Sequence, residues 1–128
     1  MKTKDLELCE ITGLSYENKN EEQELLKMVG KFVKCNNRYG MINSVHNTVY
    51  GYMLGFVWGT SQEWGSSLCR LDDVKVTDNE EAKVSALSYY KQERESIQFR
   101  MKSKVSAKDA ELYKAWLRVC SLWIARLE

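Results

Sequence analysis

A long stretch that is almost free of charge sets the first limit on the fold of this chain. Residues 39–69 contain one charged side chain, Glu63, whereas the whole chain of 128 residues has 19 basic and 18 acidic side chains. Charged side chains are almost never fully buried without a partner, so such a stretch predicts either the core or a surface that contacts another molecule. The stretch also holds Asn43, His46 and several glycines. It is therefore too polar to span a membrane, which takes about 20 predominantly apolar residues, and no membrane partner is predicted.

The composition predicts one globular domain that covers residues 1–128. Hydrophobic residues make up 44% of the chain and aromatic residues 11%. These fractions are enough to build a core, and they exclude an intrinsically disordered or collagen-like chain. The length is typical of a single domain. The formal net charge of +1 provides no general attraction to nucleic acids or anionic membranes.

The cysteines predict free thiols in a reducing compartment. They lie far apart in the sequence and His46 is the only histidine, so neither a zinc site nor a cofactor is predicted. No apolar run follows Met1, whereas a secretory signal has one of roughly 7–15 residues. We therefore expect a cytoplasmic protein. Its buried or half-buried thiols are expected at Cys9, Cys35, Cys69 and Cys120.

An amphipathic pattern near the amino terminus predicts the first helix. Asn18 or Asn20 can cap it, and acidic residues occupy its first turn. The apolar stripe continues through Val33, and Asn36-Asn37 is a suitable end. Before this helix, residues 5–12 alternate weakly and predict a short strand or an arm.

Two further helices are predicted in the second half of the chain. Thr77 to Glu80 has the spacing of a capping box, and a helix from there is expected to continue to about Lys104. The alternative is that this helix ends earlier, since residues 97–102 also alternate as in a strand. Ser106 and Asp109 have the same spacing at the start of the last helix. Its broad apolar face predicts deep packing. The apolar positions are Leu112, Tyr113, Trp116, Leu117, Val119, Cys120, Trp123, Ile124 and Leu127.

The central stretch fits two structures. As a helix, residues 40–58 align small residues at Ser44, Thr48, Gly55 and Gly59, where a second copy of the chain can approach closely. However, glycines inside a helix cost about 1 kcal/mol each relative to alanine, and the stretch is rich in strand-forming residues. We predict a mainly α fold, a compact helical bundle of about four to five helices. The alternative is an α+β fold with a small antiparallel sheet from residues 39–76.

Catalytic candidates are few. His46 is the only side chain with an unperturbed pKa near neutrality, and in a helix Asn47 and Tyr50 would lie near it. This arrangement defines one alternative function, a small-molecule or nucleotide-binding enzyme with a pocket around His46. No nucleophile motif and no phosphate-binding loop is present, and the acidic pairs fit solvated helix starts. The sequence therefore favours a protein that is not an enzyme.

One segment defines a nucleic-acid alternative. Residues 94–108 hold the only local excess of basic side chains. On a continuous helix some of them would align at a spacing of four residues and contact phosphates. The candidates are Arg94, Arg100, Lys102 and Lys104. An ordinary solvated face is the favoured interpretation of this segment.

The aromatic residues favour a protein partner. Four tryptophans and seven tyrosines occur in the chain, and tryptophan, tyrosine and arginine dominate the energetics of protein interfaces. Trp58 and Trp64 flank a predicted loop or helix junction, and Lys108, Lys114 and Arg118 give the last helix a basic edge. We therefore predict a protein-interaction module. It would be an accessory or inhibitor-type protein of the kind found in phages and mobile elements, which binds a host macromolecular machine. A homodimer through the last helix or the central small residues is compatible with this prediction.

Overall fold

Three α-helices and five β-strands form the part of the chain that is described. The computed structural model describes residues 19–128, with side chains from Glu22 onward. The elements are α1 (Lys19–Leu26), β1 (Phe32–Cys35), β2 (Arg38–Thr48), β3 (Gly51–Gly59), β4 (Trp64–Cys69), a short 3-10 turn (Leu71–Asp73), β5 (Val74–Val76), α2 (Glu80–Met101) and α3 (Ala107–Leu127). The predicted strand or arm at residues 5–12, the Asn18 cap and Cys9 lie outside this range.

The strands form one antiparallel sheet in the order β4-β3-β2-β1-β5. Consecutive hairpins build it from β1 to β4, and β5 then returns to pair with β1. The β1–β2 turn consists of Asn36 and Asn37, which have φ angles of 50° and 67°. Positive φ at both central residues is the mark of a tight hairpin turn, and asparagine tolerates it well.

The predicted helical bundle is therefore wrong, because the central residues form an α+β fold. The sheet is the kind of structure that the alternative considered, but it has five strands and begins at Phe32, before residues 39–76. Ser44 and Thr48 lie on β2, whereas Gly55 and Gly59 lie on β3. The small residues thus form no helical stripe, and a dimer through such a stripe is excluded.

The first helix is also shorter than predicted. It ends at Leu26, and Val33 lies in β1. The Asn36-Asn37 pair, interpreted as a helix end, is the hairpin turn. Glu22 is only 1% exposed rather than solvated, and neither of its carboxylate oxygens has a hydrogen-bond partner among the described residues.

The two long helices start at capped residues. The Ser106 side chain accepts a hydrogen bond from the Asp109 backbone, as predicted. Asn79, rather than Thr77, caps α2, and this helix ends at Met101 instead of Lys104. No helix in residues 19–128 is long and apolar enough to cross a membrane.

Each face of the sheet packs against its own core. α2 lies on one face beside α3, and the α1 segment packs on the other face. The buried residues between the sheet, α2 and α3 are Met41, Val57, Ala86, Tyr89, Tyr90, Ile97, Cys120, Trp123, Ile124 and Leu127. Those of the opposite face are Leu25, Val33, Cys35, Ile42, Val45, Leu54, Phe56 and Cys69.

The described cysteines are buried free thiols, as predicted. Burial raises the pKa of Cys35, and it raises the pKa of Cys69 and of Cys120 to about 12. All three therefore remain uncharged thiols at neutral pH.

A cleft between α3 and the sheet

A cleft of about 770 Å³ lies between α3 and the strands β2, β3 and β4. Apolar side chains of α3, including Leu112, Trp116 and Val119, form its upper wall. The sheet supplies a polar floor that includes Ser44 and His46. Sites for small ligands or protruding side chains have volumes of about 300–1,000 Å³ and combine apolar walls with a few polar groups. The cleft has this character.

A chain of hydrogen bonds crosses the floor. The Ser44 hydroxyl lies 2.9 Å from Asn43 Oδ1 and 2.7 Å from His46 Nε2. Asn43 Nδ2 then donates to the hydroxyl of the buried Tyr90 on α2, at 2.8 Å. The register of β2 against β3 skips Asn43 between Ile42 and Ser44. Such a bulge re-aims side chains, and here it lets the neighbours Asn43 and Ser44 meet on the same side of the strand.

Gly55, on the neighbouring strand β3, makes room for this chain of hydrogen bonds. A Cβ atom at this position would collide with Ser44 Oγ, and it would lie 2.8 Å from Asn43 Oδ1 and 3.2 Å from His46 Nε2. Any larger residue must therefore displace the Ser44 hydroxyl. The floor depends on the absence of a side chain at Gly55 as much as on the polar residues themselves.

The proton positions decide whether Ser44 can act as a nucleophile. Burial lowers the pKa of His46, so its imidazole is neutral at pH 7. A nucleophilic serine must donate its single hydroxyl hydrogen to the histidine. Asn43 Oδ1 competes for that hydrogen, and Ser44 is the one hydrogen-bond partner of the His46 ring within residues 19–128. When Ser44 donates to Asn43 Oδ1, His46 Nε2–H donates to Ser44 Oγ, and the imidazole does not act as a base towards this hydroxyl.

The half-buried imidazole of His46 makes the stability of the fold depend on pH. Because the pKa of His46 is lower in the folded protein than in the unfolded chain, its contribution is fully present above about pH 6.5. It is lost as the pH falls through the lowered value, because the unfolded chain binds the proton first. Urea unfolding at pH 7.5 and at pH 5 measures the free energy of unfolding that is lost on acidification. We expect this loss to be smaller for His46→Asn than for the unmodified chain. An equal loss in the two proteins would contradict the lowered pKa of His46.

A second polar cluster fixes two tryptophans near the cleft. Glu93 of α2 accepts a hydrogen bond from Trp64 Nε1 of β4 at 2.8 Å and another from Trp116 Nε1 of α3 at 2.9 Å. One carboxylate thus joins the sheet edge to both long helices. Trp64, which the sequence nominated for partner binding, is 38% exposed.

The other candidates from the sequence lie apart from His46. Asn47 follows His46 in β2, so its side chain points to the opposite face of the sheet. Tyr50 is exposed in the β2–β3 turn. The helical proximity that joined these residues in one candidate site is therefore absent.

Trp58 belongs to a different surface from Trp64. The Arg38 guanidinium lies 3.5 Å from the centre of its ring and 3.7 Å from the Glu63 carboxylate. A guanidinium over an indole face is a favourable cation–π contact. These residues line a second cavity of about 470 Å³ near the start of α2.

The basic candidates lie on α2, on α3 and in the segment between these helices. Arg94 and Arg100 lie in α2, whereas Lys102 and Lys104 follow its end. The continuous helical stripe required by the nucleic-acid alternative is therefore not formed. On α3, Lys108 is exposed, Lys114 pairs with Glu111 at 3.6 Å, and Arg118 lines the cleft.

Sequence reasoning missed the groups that define the site. Ser44 appeared only as a small residue, and the link between Glu93 and the two indoles joins positions 29 and 23 residues apart. No local pattern signals either contact. Within residues 19–128, no group of three or more histidine, cysteine or acidic side chains is placed to bind a metal ion. No protein-family model, curated protein or solved structure matches this chain.

Proposed function

We propose that this protein is a non-enzymatic module that binds another protein, and that a segment of the partner enters the cleft between α3 and the sheet. One observation carries the proposal: large apolar side chains are exposed to solvent on both walls of a concave surface. Leu112 on α3 is 61% exposed and Leu68 on β4 is 47% exposed, and both line the cleft. Exposed apolar residues that cluster in a concavity are typical of binding sites, whereas isolated ones are ordinary.

The walls define the chemistry of the partner segment. Leu68, Leu112 and Trp116 offer contact to a large apolar side chain, and Ser44 and His46 offer hydrogen bonds to a neighbouring polar group. A partner segment that contacts the apolar walls and forms hydrogen bonds with Ser44 and His46 loses little free energy on burying the polar floor, because these two side chains remain hydrogen-bonded. We therefore infer a segment that presents one large apolar side chain beside a hydrogen-bonding group.

The charges around α3 support an acidic rim on the partner. Lys108 and Lys114 are exposed on this helix, and Arg118 lines the cleft. Charges at the rim of an interface mainly accelerate association and suppress wrong partners. We therefore expect the affinity for the partner to fall as the salt concentration rises, since salt screens exposed charge pairs.

We propose that this binding takes place in the cytoplasm. Three buried free thiols, Cys35, Cys69 and Cys120, support that location. Free thiols persist in reducing compartments, whereas disulfides form and persist in oxidising ones.

Site-specific photocrosslinking tests the docking surface. A benzophenone amino acid at Leu112 should give one discrete adduct with a protein in lysate of the source organism. The same group at Val76, exposed on β5, should not give that adduct.

The variant Ala115→Arg, which places a charged side chain in the cleft, should weaken the interaction at least tenfold. Its control is Ser121→Arg, because Ser121 is also exposed on α3 but lies outside the cleft lining. Equal adducts from both positions, or capture unaffected by Ala115→Arg, would exclude the cleft.

A second candidate function is the binding of a small molecule in the same cleft. The partly buried Ser44–His46 pair and the volume of about 770 Å³ favour it. Native mass spectrometry of gently purified protein should then show a retained mass of a few hundred daltons that Ala115→Arg and Ser44→Ala remove. A retained mass that neither substitution affects would place the ligand elsewhere.

A further inference from the structure

Within residues 19–128, β4 is an edge strand that lacks the usual protection against pairing. Among the described residues it pairs only with β3. Natural edge strands are normally short, charged, bulged or interrupted by proline. The other edge, β5, follows this rule with three residues and a lysine at its centre. β4 has six residues, Trp64 to Cys69, and none of them is charged or proline.

The hydrogen-bond directions show which groups of β4 face outward. The Thr60 backbone N–H donates to Glu63 O at 2.7 Å, so these two residues form a hydrogen-bonded pair at the end of the hairpin. Bonded and non-bonded pairs alternate along an antiparallel ladder. With the register Gly59–Trp64, Val57–Ser66 and Gly55–Leu68, the backbone groups of Trp64, Ser66 and Leu68 point away from β3.

The outward-facing residues match a second copy of themselves. Trp64 and Leu68 lie two positions on either side of Ser66, and their side chains project from the same face of the sheet, towards α2 and α3. This orientation follows from the Trp64 bond to Glu93 and from the place of Ser66 and Leu68 in the cleft lining. Both are partly exposed, at 38% and 47%.

We propose that two copies of this chain associate by antiparallel pairing of their β4 strands, with Ser66 of one copy opposite Ser66 of the other. In this register every outward backbone group of Trp64, Ser66 and Leu68 meets a partner group, and Trp64 lies opposite Leu68 of the second copy. The two sheets become one continuous sheet, with α2 and α3 of both copies on the same face. Slipping one copy by a single residue would place side chains of opposite faces against each other.

The charges that flank β4 agree with antiparallel pairing. Glu63, which also lies 3.7 Å from Arg38 of its own copy, precedes β4 and Arg70 follows it, so the acidic end of each strand meets the basic end of the other. Trp64 of the second copy would also lie beside Leu68 at the margin of the cleft. The inference goes beyond the proposed function, since self-association through β4 does not require a partner in the cleft.

Disulfide trapping tests the register. Residues directly opposite in a bonded pair have Cα atoms about 5.5 Å apart, which lies within the range that a disulfide spans. In a Cys9→Ser background, Ser66→Cys incubated with oxidised glutathione should therefore give a covalent dimer in high yield. Ser67→Cys is the control. In the same register the Cα atoms of the two Ser67 residues, one from each copy, are diagonal neighbours about 8 Å apart, which is too far for a disulfide. The remaining cysteines are buried.

Sedimentation velocity gives an independent measurement. Because small interfaces are weak, we expect dimers of the unmodified chain to appear as its concentration is raised to about 0.5 mM. Leu68→Lys should abolish dimerisation, whereas Ser67→Lys should preserve it, and circular dichroism should show that both variants fold. A monomer at every concentration, or equal trapping at positions 66 and 67, would overturn the proposal. A chain that dimerises only after deletion of residues 1–18 would also overturn it, since that segment would then occupy β4 in the full chain.

Discussion

Replacing Tyr90 with alanine is expected to lower the free energy of unfolding by about 3–5 kcal/mol, the usual cost of removing a buried aromatic side chain. Tyr90 has no exposed surface. Its ring stacks on Trp123 at 5.9 Å between centroids and meets Tyr89 edge-on at 4.9 Å. Aromatic pairs in these geometries add about 0.5–1.5 kcal/mol beyond the burial of their area. Urea unfolding at pH 7.5 measures the loss.

The variant Tyr90→Phe separates packing from hydrogen bonding. It keeps the ring but removes the hydroxyl that accepts the bond from Asn43 Nδ2. The amide is then left without that partner, which costs about 1–3 kcal/mol. A loss for Tyr90→Phe as large as that for Tyr90→Ala would mean that the hydrogen-bond chain, rather than the ring, holds α2 on the sheet. No loss in either variant would contradict the packing described here.

The second large effect is expected at Gly59, where β3 contacts α2 directly. A Cβ atom there would lie 2.7 Å from Tyr89 N and 3.1 Å from the Ser88 carbonyl carbon. These are backbone atoms, so the helix itself must move, and overpacking of this kind typically costs about 1–3 kcal/mol. We expect Gly59→Ala to reach the upper part of that range, because the shift also weakens the bond from Gly59 N–H to Ser85 Oγ at 2.9 Å.

Gly65→Ala is the matched control for Gly59→Ala. The atoms nearest to its added Cβ atom belong to the Trp58 side chain, with Cζ2 at 2.9 Å, and a side chain can rotate away more easily than a helix can shift. Thermal unfolding of both variants should therefore show the larger decrease for Gly59→Ala. A decrease of equal size would mean that the helix is free to move.

The start of α3 was predictable from sequence because its capping signal is local. Ser106 and Asp109 are close in the chain, and the predicted cap forms in the structure. The central sheet was not predictable in the same way. Asn36-Asn37 suits both a helix end and a tight hairpin turn, and only pairing between β1 and β2 decides between them. The prediction failed at the point where tertiary contacts override local preference.

In the candidate site, too, the sequence identified a residue but not its contacts. His46 was identifiable as the only histidine, but its contact with Ser44 depends on the bulge at Asn43 and on the missing side chain of Gly55. Both are properties of two paired strands. The exposed Leu112 was expected in a deeply packed face, whereas the structure leaves it on the wall of an open cleft.

The position of β5 has a consequence for the order of folding. Three hairpins connect β1 to β4 through short turns, but Val76 of β5 pairs with Val33 of β1. The entropy lost on closing a loop increases with its length, so this contact is the most expensive in the sheet to form early. β5 should therefore join last and open first, by a local fluctuation that leaves the other strands paired. Cys35 pairs with Val74 of β5, so a thiol reagent would reach this buried cysteine through that opening, at a rate faster than global unfolding.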